Sequence, residues 1–419
     1  RLMREAGLRC VRVGDRAWDR CQRADGSFDW DFHDRVLERA AAHEIGVILA
    51  TPTACAPAWL EHRHREVIAE RENGVRWAAH GGGCYDLTCP AYRDACRAVV
   101  AALAERYAGD ARLWAWQLET HWPGRLDALW GSSVRAAFQQ WLRARYREPA
   151  ALDAAWGLVA WSKSLDSFEQ VDLPGPGLPQ RNHHQLADYR AFLADLARAF
   201  LDEQRAVIRA ADPAAVIVAG ATGLPIDAAE LAAGVDVVGC AHRPRLASGA
   251  RERSQQGFAY GVVRHHARRM WAVEQQASQL GQTDYCRPVS PPGELSVAAL
   301  QSVAHGCDLV AWLPWRSYHA GVHSNLGGVL PHWGRPTRFY REVADLTARL
   351  APHAATIGAT RPRVTLARVV SFRQSVGAAV EPWIGARIAL DTGRPALIHL
   401  GLNENVVRAV DLQPGDGYQ

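Results

Sequence analysis

Lysine is almost missing from this chain: Lys163 stands alone among 48 basic residues, and arginine supplies the rest. Charge of one sign is missing too, since 44 acidic residues leave a formal net charge of only +4. The arginines are interspersed with Asp and Glu on apparent helix faces. A nucleic-acid-binding face needs a concentrated basic patch, so nucleic acid is not the expected partner. No apolar run approaches the ~20 residues that cross a bilayer, which argues against a membrane partner. The nine cysteines form no C-x-x-C pair. Most lie in apolar runs and read as reduced core thiols of a cytoplasmic protein. Cys84, Cys89 and Cys96 are the only close set, and their spacing matches neither a zinc ribbon nor a finger, so no metal is expected there. No secretory signal is visible. The chain opens on "RLMREAGLRCVRVG", a helix end running into a strand, and the natural gene product is expected to start upstream.

What is present is alternation. Continuous apolar runs at Cys10–Val13, Gly46–Thr51, Leu113–Leu118, Ala215–Ala219, Val235–Gly239, Met270–Gln275 and Leu309–Leu313 read as parallel strands buried on both faces. Between them lie amphipathic helices. Cys96, Val99, Val100, Leu103 and Tyr107 share one face, and Val134–Tyr146, Leu186–Ala211, Leu295–His305 and Phe339–Leu350 repeat the pattern. This alternation predicts the α/β class, a (β/α)8 TIM barrel over residues 1–351 with its first strand missing from the chain. A doubly wound sheet is the runner-up, but no G-x-G-x-x-G follows an early strand. Residues 352–419 carry two further apolar runs, "VTLARVVSF" and "RPALIHLGL", and read as part of a second α/β domain. Asp153–His184, rich in Pro, Gly and Trp, is a long excursion after the third visible strand and is expected to cover the site.

In such a barrel the working residues project from the carboxyl ends of strands. Glu274, at the end of "MWAVEQQ", is the most pointed of them. A carboxylate there must be paired, solvated in a pocket or neutralised, because bare burial is costly. It reads either as an ion pair with Arg243 or Arg316, or as a nucleophile. Retaining glycosidases place two carboxyl groups ~5 Å apart, one attacking and one acting as acid then base. The strand "LWAWQLETH" offers Glu119 and His121 on one side and Thr120 on the other. Either could protonate a leaving group, since histidine titrates near ~6.5. Sixteen tryptophans are present. Several finish strands, among them Trp116, Trp271, Trp312 and Trp315. They read as core aromatics or as rings on which a sugar stacks.

At these residues the chain resembles the bacterial β-galactosidases of glycoside hydrolase family 42. "RLMREAGLRCVRVGDRAW", "GVILATPTACAPAWL", "YDLTCPAYRDACRAVVAALAERY", "FQQWLRARY", "AAWGLVAWS", "VEQQ" and "GRPTRFYREVADL" carry the likeness, and "EPWIGARIALDTGRPALIHLG" resembles the start of the family's trimerisation domain. The resemblance implies a (β/α)8 barrel, retaining hydrolysis of a carbohydrate substrate, no organic cofactor and a homotrimer. It puts the nucleophile on Glu274 and the acid/base position on His121, with Glu119 as the alternative acid. The family's sugar-binding Asn falls on Thr120, and the Tyr that steadies the nucleophile falls on Arg243. Trp161 matches a sugar-stacking Trp, and an Arg contact falls near Gly82. The galactose-contacting Glu and His of the last loop fall on His323 and Leu326. Asp86 takes the place of one zinc cysteine. The scaffold persists while the galactose contacts change.

Three readings follow. The first is a retaining hydrolase of a β-galactoside or related sugar. In the second, His121, His242 and His323 bind an anionic sugar or a metal. The third is a catalytically degenerate carbohydrate-binding protein.

Overall fold

The computed structural model describes residues 1–77, 84–118, 129–175, 182–220, 227–242, 250–278, 281–282, 285–286, 289–321, 323–360, 367–368 and 406–407. Its centre is a single parallel sheet of seven strands: β1 (Cys10–Val13), β2 (Gly46–Ala50), β3 (Leu113–Leu118), β4 (Ile217–Gly220), β5 (Val237–His242), β6 (Met270–Gln276) and β7 (Cys307–Leu313). They pair in chain order from β1 to β7. β1 and β7 have no ladder between them, yet they approach within 8 Å. The sheet is therefore a nearly closed barrel. Burial follows this geometry. Every residue of β2, β4 and β6 is buried, while β1 is half-buried throughout and β7 is mostly so.

All seven expected strands form, with bounds shifted by up to three residues. The shifts at β4 and β5 have a common cause. Ala215 and Val235, the first residues of those apolar runs, serve the turns that enter the strands, and Asp236 accepts the Ile217 amide at 2.8 Å. The expected helices appear at Pro90–Tyr107, Ser132–Tyr146, His183–Ala211, Glu294–Ala304 and Arg338–Leu350. The periodicity reading passed over Asp31–Ala41, Ala228–Gly234 and Ala250–His266. The last of these interleaves Arg, Gln and His with its few apolar positions, which blurs the face.

Two layers of side chains define the interior. Ile48, Ala115, Val218, Val237, Trp271 and Val273 fill the barrel, with Cys10, Val216 and Leu309 at its edge. The alternate residues face outward into the larger core shared with the helices, as Leu49, Trp116, Ile217 and Met270 do. Trp116 and Trp271 thus belong to packed core, and the sugar-stacking reading does not hold for either. Trp312 and Trp315 pack against a separate cluster with Val329, Phe339 and Tyr340. Buried polar groups are tied across elements near the mouth. Thr51 and Thr53 both donate to Gln204 Oε1, at 2.6 and 3.3 Å, and Tyr92 donates to the Thr53 carbonyl at 2.6 Å. The loop after β2 is thereby fixed to the helices Pro90–Tyr107 and His183–Ala211.

The segment after β3 is described over 129–175. Its helix Pro149–Trp156 ends at Gly157 in the left-handed conformation, the usual αL stop. Asp188, 7% exposed, anchors it: Trp156 Nε1 and Tyr146 Oη donate to the same carboxylate oxygen at 2.8 and 2.6 Å. Of the expected second domain, the described parts are residues 352–360, with the helix Ala354–Ala359, and one antiparallel pair, Ala367–Arg368 with Val406–Val407. The two runs expected as strands otherwise lie outside the described residues.

Candidate active site

The site is built on the alternation of β1. Cys10 faces the barrel interior, while Val11 and Val13 pack outward. Arg12 therefore shares the inward side with Cys10 and sits nearer the carboxyl end. On β6 the inward residues are Trp271 and Val273. Strict alternation would send Glu274 outward. Here, however, the ladders on both sides of β6 slip: Cys240 pairs with Ala272 but Ala241 with Glu274, and Ala272 pairs with Val310 but Gln275 with Trp312. A bulge of this kind re-aims a side chain, and such irregularities gather beside active sites. Glu274 accordingly reaches Arg12: Nη2 donates to Glu274 Oε1 at 3.1 Å, with the two side chains 9% and 8% exposed. Arg12 Nη2 also lies 3.5 Å from Asp15 Oδ2.

This partner adds to the two that were expected. The ion pair considered for Glu274 was with Arg243 or Arg316. Arg316 instead donates to the His332 carbonyl and lies 3.0 Å from His319 Nε2, which pins the last loop to itself. Arg243 lies outside the described residues. Arg12 was missed because "RCVRVG" reads as an ordinary strand. The signal available was its position: a charged residue on the inward side of a buried strand needs a counter-charge within the barrel.

Gly14 turns the chain immediately above. Its φ is +103°, and a Cβ there would meet the Ala50 carbonyl oxygen at 2.8 Å. The turn carries Asp15 and Arg16 over the mouth. From the opposite edge, the loop after β7 brings Tyr318 and His323. Arg16 Nη1 lies 3.3 Å from His323 Nδ1, and the Tyr318 and His323 rings are 5.8 Å apart between centroids. Burial raises the Tyr318 hydroxyl above its ordinary value, and the charges of Arg16, Asp15, Arg12 and Glu274 all act on it. These side chains form one cluster around the gap between β1 and β7. That loop is closely packed: a Cβ on Gly328 would meet the Arg316 carbonyl carbon at 2.7 Å.

The remaining expected residues divide clearly. Trp161 is 70% exposed at the end of the turn Leu158–Trp161, a flat ring presented to solvent. Trp315 is half-buried, with its ring edge-on to Tyr340 at 6.2 Å. Glu119, Thr120 and His121 lie outside the described residues, as does Gly82. β3 is described to Leu118, and its inward Gln117 is 2% exposed.

No metal centre is assembled among the described residues: no three His, Cys, Asp or Glu side chains converge. Asp86, at a zinc-cysteine position by resemblance, instead accepts from Thr88 N, Thr88 Oγ and Ser133 Oγ, at 2.8, 2.6 and 2.5 Å. Cys84, Cys89 and Cys96 are buried and free of disulfides, and burial pushes the Cys84 thiol up to about 12. These residues do not fit a zinc ion.

A parallel barrel with a charged cluster at the carboxyl ends of its strands, including a buried carboxylate held by an arginine, has the architecture of the (β/α)8 barrels. Comparison with known proteins places the chain within it. The family model for glycoside hydrolase family 42, described as β-galactosidase, matches residues 1–352, and the chain belongs to that family. It is 32% identical over 349 residues to β-galactosidase BgaA from a Thermus species, covering 77% of this chain and 54% of that protein. It is 27% identical over 429 residues to β-galactosidase YesZ from Bacillus licheniformis, covering 100% of this chain and 63% of the relative. The chain thus spans roughly half to three-fifths of these relatives' length. Among solved structures, the β-galactosidase of Bacillus circulans sp. alkalophilus superposes with a TM-score of 0.85 at 23% identity, over 93% of this chain and 59% of that one, which establishes the shared fold. Among the described residues no helix is long and apolar enough to cross a membrane.

Proposed function

We propose that the chain forms the barrel of a retaining glycoside hydrolase of the β-galactosidase type, with Glu274 as nucleophile. The observation that carries this reading is the Arg12–Glu274 contact of 3.1 Å at the barrel mouth. It fixes a buried carboxylate at the strand end, where barrel enzymes do their chemistry. Family membership supports the reaction class. In the reaction, a Glu274 oxygen attacks the anomeric carbon as the glycosidic C–O bond breaks, giving a glycosyl ester and the departing alcohol. The departing oxygen takes its proton from the acid at the end of β3, His121 with Glu119 as the alternative. The same group then removes a proton from the water that cleaves the ester, returning Glu274. Arg12 orients the nucleophile and balances its charge before and after the ester forms.

Thr120, Trp161, Arg243, Trp315 and His323 are the proposed sugar contacts. No organic cofactor is needed. Residues 352–419 are proposed as part of the trimerisation domain of a cytoplasmic homotrimer.

The test uses aryl β-galactosides. A dinitrophenyl leaving group departs without acid assistance, so its hydrolysis reports the nucleophile alone. Glu274→Gln abolishes that turnover, and activity persisting in this variant removes Glu274 from the role. With a poor leaving group the acid matters, and His121→Glu raises kcat by about 10²-fold if His121 holds the acid position. Sugar binding without turnover of any substrate removes the hydrolase assignment.

A further inference from the structure

We propose that Gln117 is a sugar-binding residue, its carboxamide meeting one hydroxyl of the unit that Glu274 attacks. The proposal rests on the hydrolase reading and deepens it, since it commits the recognised group to a free, uncharged hydroxyl. It begins with hydrogen-bond accounting. Buried polar groups of native proteins are nearly always paired, and one that is not calls for an explanation. Among the described residues, Gln117, Gln204, Gln275, Gln276 and Gln301 each carry a buried side-chain atom without a partner. All but Gln117 are bonded at the other end of the amide. Gln204 Oε1 accepts from Thr51 and Thr53, and Gln275 Oε1 accepts from Ser302. Gln276 Nε2 donates to the Ser278 carbonyl and Gln301 Nε2 to the Arg253 carbonyl, both at 2.6 Å. Gln117 stands apart: its Oε1 is unpaired, and its Nε2 makes no hydrogen bond among the described residues either. With both ends open, the direction in which the amide is turned does not alter the argument.

The place of Gln117 in the barrel explains why the protein supplies no partner. Ala115 faces the interior, so Gln117, two residues on and next to last in β3, faces it too. Its ladder partners are Ala50 on β2 and Val218 on β4, neither of which has a polar side chain. At 2% exposure it is largely shut off from bulk water. It lies toward the carboxyl end of its strand, the end at which Arg12 holds Glu274. A carboxamide both donates and accepts, and so does a hydroxyl. A buried amide left open is costly, and a bound hydroxyl relieves that cost. A site built in this way rejects the analogue that lacks the hydroxyl.

The experiment measures kcat/KM of the whole chain on dinitrophenyl β-galactoside and its monodeoxy forms, each lacking one hydroxyl. The parent protein is compared with Gln117→Met, which keeps the length of the side chain and removes its hydrogen bonding. The variant is expected to lose about tenfold on the full galactoside, the worth of one hydrogen bond. On one deoxy sugar it is expected to lose nothing, because the hydroxyl that met Gln117 is gone, and on the others the tenfold loss stays. Since the amide has no protein partner, the Tm of Gln117→Met is expected to be no lower than the parent's. An equal loss on every sugar, or no loss on any, overturns the contact and leaves the hydrolase standing. So does a lowered Tm in both Gln117→Met and Gln117→Leu, which would mean that the amide is bound within the protein. If no sugar of the series is turned over, the hydrolase reading fails, and the contact is judged by calorimetry with galactose. Binding about tenfold weaker in Gln117→Met than in the parent supports it; equal binding, or none to either protein, overturns it.

Discussion

Arg12 and Glu274 stand 262 positions apart in the chain and meet at 3.1 Å, each with under a tenth of its side chain exposed. The pair joins the first visible strand to the sixth across the mouth of the barrel, so it reports on barrel closure as well as on chemistry. Removing one partner of a buried ion pair leaves the other charge uncompensated, at a cost of about 3–5 kcal/mol. Arg12→Met is therefore expected to lower stability by that order. Arg12→Met with Glu274→Gln is expected to recover much of the loss, because the buried charge of Glu274 is then no longer stranded and the more exposed Asp15 stays hydrated. Urea unfolding of the two single variants and the double variant measures the coupling. Strict additivity of the single effects contradicts a direct interaction.

Gly14 governs where the turn bearing Asp15 and Arg16 lies. At φ +103°, with the Ala50 carbonyl oxygen 2.8 Å from any Cβ, alanine there is strained and clashes with backbone. Gly14→Ala is expected to cost about 1–3 kcal/mol. It also displaces Arg16 and with it His323, the proposed sugar contact 3.3 Å away, and so raises KM more than it lowers kcat. Unchanged steady-state kinetics in a folded Gly14→Ala protein would show that this turn does not position a substrate contact.

The barrel was readable because most of its strands are buried on both faces, and seven mainly apolar runs left few other arrangements. Glu274 was readable for the same reason, as a charge at the end of such a run. Arg12 was not, since a lone arginine in "CVRV" looks the same whether it faces solvent or the barrel interior. Only the pairing of β1 with β2 and the inward Cys10 decide the matter. The bulge in β6 was equally hidden, because register slips arise from both neighbouring strands at once. Trp116 and Trp271 misled in the other direction: a strand-end tryptophan is chemically suited to stack on a sugar, but inter-layer packing claimed both.

Asp188 holds the segment 149–175 to the long helix His183–Ala211. Trp156 Nε1 and Tyr146 Oη converge on one of its oxygens, and Arg145 Nε lies 3.5 Å from the other. Asp188→Ala leaves the buried Trp156 donor unsatisfied, at a cost of about 1–3 kcal/mol, and takes the acceptor from the half-buried Tyr146 hydroxyl. The expected result is a lower Tm and faster proteolytic cleavage between Gly157 and Gly175, with the rest of the barrel protected. Mass spectrometry of the first fragments locates the cut. Cleavage rates equal to those of the parent protein would mean the segment is held elsewhere.

His33 sets a pH limit on the fold. It is 2% exposed and lies among Trp30, Phe32 and Tyr107, with neither ring nitrogen hydrogen-bonded within the described residues. Burial lowers its pKa from 6.5 to about 4, against a smaller opposing pull from Asp34. Between those two values the unfolded chain binds a proton that the folded chain refuses. The stability associated with neutral His33 is therefore complete above about pH 6.5, declines as the pH falls through this window, and declines no further below about 4. The full span corresponds to about 3 kcal/mol. His33→Phe keeps an aromatic ring at the position and removes the titration. Its urea-unfolding free energy is expected to lose less between pH 6.5 and 4 than that of the parent, by up to about 3 kcal/mol. Parallel pH profiles for the two proteins would show that His33 is protonated in the folded state or that its surroundings hydrate.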